Sequence, residues 1–340
     1  ILPTMPTQPT SGPATPPRPA RRAVAIDAMN AADEDAANAT PTPHGEPPAA
    51  ITAPVQRIDQ WLAAFVARAP LPTNLADAIR YSLLGPGKRM RPLLVWHACA
   101  AGGGDPERAL PAAAAIELIH AFSLVHDDLP GLDNDDLRRG RPTLHKHTSE
   151  AMAILAGDAM LTLAFKVVVD EIADPTLAAA IIRELGDSTT AMIAGQVYDT
   201  LGGFPEAAPG VPLDDASRLE VIHHNKTGAL IRASCRMGAL CAGAPAATLD
   251  ALTVYGEAIG LMFQIVDDLL DVTQTTEHLG KKAGKDQDAG KLTYPGVFGI
   301  ERSRAEVRRL HDRAMEALRP LGPAAAPLRD LCAYMAVRSR

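Results

Sequence analysis

The chain has 340 residues, a formal net charge of −7, and 47% hydrophobic but only 4% aromatic residues. The acidic balance argues against nucleic acid as a partner, while the length and apolar content allow a large core. Alanine and leucine dominate the apolar set, which favours closely packed helices over sheets.

Residues 1–50 hold 11 of the 29 prolines, with Ala, Thr and Ser between them and no apolar periodicity. They read as a disordered leader, and residues 51–340 as one all-α domain. The leader has no apolar core of a secretory signal. Its prolines and the acidic residues from Asp27 to Asp35 argue against a transit peptide, despite Arg18, Arg21 and Arg22. From Ile51 onward the pattern predicts helices over 51–68, 74–84, 92–101, 108–128, 149–172, 175–200, 214–223, 226–242, 247–273, 290–315 and 325–338. No alternating strand run appears, and GGFPEAAPGVPL from Gly202 to Leu213 reads as a surface loop. No uninterrupted apolar run reaches transmembrane length, so no membrane span is expected. Cys99, Cys235, Cys241 and Cys332 contain no CxxC pair and read as buried reduced thiols, the pattern of a cytoplasmic protein.

The helix over 108–128 runs into DDLPGLDNDD, Asp127 to Asp136. Carboxylates at a helix C-terminus are disfavoured by about 0.3–1 kcal/mol each, and crowding adds repulsion that calls for a counter-ion. Mg²⁺, an oxygen-seeking divalent cation, meets that demand. A continuous helix would splay Asp127 and Asp133 by about 120°. Pro130 and Gly131 lie between them, so the helix is expected to end after Asp128 and the chain to bring Asp133 back. A solvated acidic loop is the plain alternative for one such run. A second cluster, Asp267, Asp268 and Asp271 in LMFQIVDDLLDV, weakens that alternative, because spacings of three and four place these carboxylates on one face of an apolar helix.

Basic residues flank both clusters. Lys88, Arg89 and Arg91 follow Gly85-Pro86-Gly87; Arg138, Arg139 and Arg141 follow the first cluster; Lys226, Lys281, Lys282 and Lys291 complete the set. Singly, each is an ordinary surface charge. With the aspartates they suit a ligand bearing several phosphates. The pairs His145/His147 and His223/His224 lack zinc-site spacing.

GKRMRP, HDDLPGLDNDDLRRGRPT, GQVYD, KTG, FQIVDDLLD and GKDQDAGKLTYP, in that order between Leu83 and Pro295, resemble the motifs of the polyprenyl synthetase family of head-to-tail prenyltransferases. Within it the likeness is greatest to bacterial enzymes of the farnesyl diphosphate synthase type. The resemblance implies an all-α bundle around a central apolar cavity, and Mg²⁺-dependent condensation of isopentenyl diphosphate with dimethylallyl or geranyl diphosphate. It implies Mg²⁺ ligation by Asp127, Asp133 and Asp267, with Asp128, Asp268 and Asp271 in the same shells and three ions when substrate is bound. Arg138, Lys226 and Lys281 would hold the allylic diphosphate, and Lys88, Arg91, His120 and Arg139 the isopentenyl diphosphate. Gln196, Asp199, Thr227 and Gln264 would line the pocket near the carbocation. A homodimer is also implied.

Phe122 and Ser123 lie five and four residues before Asp127. Phe122 reads equally as an ordinary core residue, but the resemblance implies that an aromatic there is the floor for a growing prenyl chain, giving farnesyl diphosphate (C15) as product; geranylgeranyl diphosphate (C20) is the alternative. A class I terpene cyclase, with one diphosphate to bind, needs neither the second aspartate motif nor Lys88 and Arg91. A non-catalytic partner subunit is expected to lose aspartates that are all present here.

Overall fold

The computed structural model describes residues 49–273 and 291–337. The expected leader, except its last two residues, lies outside them, as do Lys281 and Lys282. The long helices fall where the apolar pattern places them: α1 Val55–Arg68, α2 Thr73–Leu83, α3 Met90–Ala101, α4 Leu110–Asp127, α5 Glu150–Glu171 and α6 Pro175–Thr200. They continue as α7 Asp215–Ile222, α8 Ala229–Cys241, α9 Ala246–Thr273, α10 Ile300–Ala317 and α11 Ala326–Val337. Side chains supply the first-turn donors with acceptors: Ser149 Oγ accepts from the Met152 amide at 3.1 Å, and Asp174 and Asp214 cap α6 and α7 at 2.8 Å.

Helix α4 is the centre of the bundle. Every residue from Leu110 to Ile119 is buried, and the run Ala112–Ala115 lets α3, α5 and α8 approach closely. Helix α9 packs on α8 and α10, and the Tyr255 hydroxyl donates to the Leu328 carbonyl at 2.7 Å, tying α9 to α11. Because α8 touches both α4 and α9, it couples the helices that carry the two aspartate clusters. Three stretches, Pro106–Asp127, Glu150–Glu171 and Ala246–Val272, are long and apolar enough to cross a bilayer by length and composition; here the first is mostly buried in the bundle and the other two are buried along part of their surface. The four cysteines are buried and free, as expected.

Four expectations about elements are corrected. The loop over 202–213 contains a small hairpin, Glu206–Ala208 against Val211–Pro212, closed by the Gly210 amide donating to the Glu206 carboxylate at 2.7 Å. A second hairpin pairs Leu137–Arg138 with Arg141–Pro142. Both are too short for alternation to reveal them. The helix expected over 290–315 is interrupted at Gly299, which separates Tyr294–Phe298 from α10. The gap between 223 and 226 is filled by a π-helical turn, His223–Gly228, joining α7 to α8. Such wide turns are frequent at functional sites because they redirect a side chain without ending the helix.

Candidate active site

The first aspartate cluster folds as its proline and glycine require. Helix α4 ends at Asp127 and the chain recoils: the Asp133 amide donates to the Asp127 carbonyl at 2.8 Å, and the Asp135 amide to the Asp128 carbonyl at 3.2 Å. Asn134 takes a left-handed conformation (φ 50°) within this turn. Asp133 is thereby returned beside Asp127. Burial pushes the Asp127 carboxyl up to about 6; Lys226 pulls it down and Asp133 raises it again. Asp128 is buried and engages Arg138, which donates from Nε at 2.8 and 2.9 Å and from Nη2 at 2.6 Å. That fork is charge-assisted and fixes the guanidinium.

In the second cluster Asp268 is buried and accepts from Gln264 Nε2 at 3.0 Å and from the Tyr294 amide at 2.8 Å, with His223 Nε2 at 3.5 Å. Burial pushes the His223 imidazole down to about 4, so it stands neutral there. Asp271 is buried too, and its Oδ1 has no hydrogen-bond partner among the described residues. Asp267 is half-buried on the same helix.

Lysines join the two clusters. Lys226 sits on the π-helical turn, and a Cβ at Gly195 of α6 would overlap its backbone, so glycine is what lets α6 press against that turn. The close approach places Lys226 Nζ 2.5 Å from Asp199 Oδ2. Lys291 Nζ lies 3.6 Å from both Asp199 and Asp133. Thr227 Oγ1 donates to Gln264 Oε1 at 2.9 Å. Gln196 donates to Thr200 at 3.3 Å, leaving its buried Oε1 without a partner. A small cavity here is lined by Asp199, His223, Lys226, Gln264, Asp268 and Lys291, among others.

A second cavity is walled by Asp128 and Arg138 together with Arg89, Arg139, His120 and Glu117 and by the apolar Leu124 and Val125. Arg89 is scaffold: it is buried and donates to Asp59 at 2.6 Å, to the Gly85 carbonyl at 3.0 Å and to Glu117 at 3.3 Å. Arg139 donates to the Pro86 carbonyl at 2.6 Å, and a Cβ at Gly87 would collide with its guanidinium. Burial and four surrounding arginines drive the His120 imidazole well below its ordinary range. Of the remaining expected contributors, Lys88 is exposed and Arg91 lies behind this wall with a buried, unpartnered Nε.

Two expected groups differ in detail from the picture above. Among the described residues no three carboxylates or imidazoles converge on one point, and Asp128 and Asp268 are engaged by protein donors. The donor set still suits Mg²⁺, being all carboxylate oxygen, with the orphaned Asp271 oxygen and the desolvated Asp127 as groups a cation would relieve. The Phe122 ring is turned against His126, edge-on with centroids 5.7 Å apart. On an ideal helix it points about 140° away from Asp127, whereas Ser123 is only about 40° away and one turn deeper. Glu117 was missed by sequence reasoning, its signal being a single acid inside a fully apolar run, whereas His223, read as lacking zinc-site spacing, stands beside Asp268.

The site thus comprises two aspartate clusters at the ends of packed apolar helices of an all-α bundle, with a guanidinium-walled cavity beside the first. The polyprenyl synthetase family matches residues 72–319. Geranylgeranyl pyrophosphate synthase 11, chloroplastic, of Arabidopsis thaliana is 45% identical over 296 residues, covering 84% of this chain and 81% of that protein. The structure of an FPP/GFPP synthase from Zymomonas mobilis aligns with TM-score 0.72 and 36% identity, over 84% of this chain and 97% of that one. A geranylgeranyl pyrophosphate synthetase from Pyrococcus horikoshii aligns with TM-score 0.75 and 30% identity, over 85% and 98%. The chain belongs to the polyprenyl synthetase family.

Proposed function

We propose that this chain condenses isopentenyl diphosphate with allylic diphosphates and releases geranylgeranyl diphosphate (C20) as its main product. The observation that carries the two-substrate reaction is the presence of two separate cavities, one lined by Lys226, Asp199 and Asp268, the other by Arg138, Arg139 and His120. The lysine-lined cavity takes the allylic diphosphate and the guanidinium-walled one the isopentenyl diphosphate. Mg²⁺ held by Asp127, Asp133 and Asp267 would neutralise the diphosphate as the allylic C–O bond ionises. Lys226 adds fixed positive charge where the leaving group's negative charge grows. Asp128 holds Arg138 in the wall of the guanidinium-lined cavity, and Asp268 is braced by Gln264 and the Tyr294 amide. Leu124 and Val125 keep the reacting carbons away from water. No side chain is required as a nucleophile.

The C20 product replaces the C15 product expected from the sequence. The aromatic taken as a floor, Phe122, packs against His126, and the residue nearest Asp127's direction one turn deeper is the small Ser123. The relatives named as geranylgeranyl synthases point the same way. Product analysis tests this: Ser123→Phe shortens the main product to C15, while Phe122→Ala leaves it at C20. Truncating a large core aromatic costs about 3–5 kcal/mol, so Phe122→Ala is assayed well below its melting point. A wild-type enzyme that stops at C15, or a Phe122→Ala variant that lengthens it, overturns the assignment.

Arg139→Ala tests the division of substrates. A hydrogen bond to a charged group is worth about 1.5–3 kcal/mol, so KM for isopentenyl diphosphate should rise about 10- to 100-fold with the allylic KM little changed. Equal rises in both would contradict it. The apolar outer face of α5, with Ile154, Leu155 and Val169 exposed, supports reading the working form as a homodimer.

A further inference from the structure

Glu117 is a buried acid in the wall of a cavity read above as binding a diphosphate, where a carboxylate repels the ligand. It stands in a run, Leu110 to Ile119, that is otherwise apolar. Its Oε1 accepts from Arg89 Nη1 at 3.3 Å, and its Oε2 is buried without a hydrogen-bond partner. Arg91 Nε is in the same condition. Burial raises the Glu117 carboxyl, and Arg89, Arg91 and Arg139 each pull it back. Burial lowers Arg91 to about 10, with Glu117 opposing that fall and Arg139 adding to it. Three guanidiniums gathered in a poorly solvated place repel one another, and a single buried acid between them offsets that repulsion.

We propose that Glu117 is a positioning residue for the isopentenyl diphosphate pocket, holding Arg89 directly and drawing Arg139, which lines the same wall, into place facing the diphosphate. The proposal rests on the reading of that pocket given above. Glu117 touches no substrate in this scheme; it acts through the arginines.

The test is calorimetric binding of isopentenyl diphosphate to the full chain, with steady-state KM for both substrates and a melting curve for each variant. Glu117→Gln keeps the shape and removes the charge, and should weaken isopentenyl diphosphate binding at least about tenfold with the allylic KM within about twofold. Glu117→Asp keeps the charge but withdraws it by one methylene, and should lose several-fold less than the glutamine variant, selectively for the same substrate. It also carries the test should the glutamine variant not fold. Arg139→Ala separates the two readings. If Arg139→Ala weakens isopentenyl diphosphate binding and neither Glu117 variant does, the positioning role is overturned and the pocket stands. If Arg139→Ala has no effect, the pocket reading falls and the role of Glu117 falls with it. Equal losses for both substrates in the Glu117 variants also overturn it.

Discussion

Asp127→Ala and Asp267→Ala are each expected to lower kcat by about three powers of ten or more. Charge neutralisation at the leaving diphosphate is worth several kcal/mol, and about 1.4 kcal/mol is a factor of ten. The loss should be chemical rather than structural, and Asp127 provides the control. Its carboxyl is raised to about 6 in the fold, chiefly by burial. A carboxyl raised above its unfolded value contributes stability while protonated and loses it as pH climbs from about 4 through about 6. At pH 7 the ionised group therefore weighs against the ligand-free fold, and Asp127→Ala should melt no lower than wild type. Excess chelator should abolish turnover and added Mg²⁺ restore it. Full turnover in chelator would remove the metal from the account.

Lys226→Ala is the second large effect, about 10²–10³ in kcat, the usual cost of removing one preorganised stabiliser of developing negative charge. The π-helical turn and the contact with Gly195 fix where this ammonium stands, and Asp199 at 2.5 Å fixes its direction. Lys226→Arg should recover only part of the loss, since the longer planar group cannot occupy the same point against Asp199. A Lys226→Ala enzyme within about threefold of wild type would show that the lysine belongs to the scaffold and not to the reaction.

The aspartate clusters were legible because charge is conspicuous against apolar helices, and the recoil that returns Asp133 to Asp127 followed from Pro130 and Gly131. The helix register of α4, α5, α6 and α9 followed from uninterrupted apolar pattern. What stayed hidden depends on partners distant in sequence. The His223–Gly228 turn is wide because α6 presses on it at Gly195, a contact that no local pattern encodes. Asp268 reads like a metal ligand in sequence; that it also accepts from the amide of Tyr294, 26 residues on, is visible only in the fold. Phe122 shows the same limit: the family resemblance suggested it as a floor, while the helix register turns it from Asp127 and its ring packs against His126.

The central claim, that this chain joins two diphosphates, is tested most directly by following ¹⁴C-labelled isopentenyl diphosphate into product with dimethylallyl or farnesyl diphosphate and Mg²⁺. The account predicts that label enters prenyl diphosphates up to C20, with C20 predominant, and that the allylic substrate is untouched when isopentenyl diphosphate is left out. Consumption of the allylic diphosphate at an undiminished rate without isopentenyl diphosphate, with release of unlabelled hydrocarbon, would contradict it and identify a cyclase.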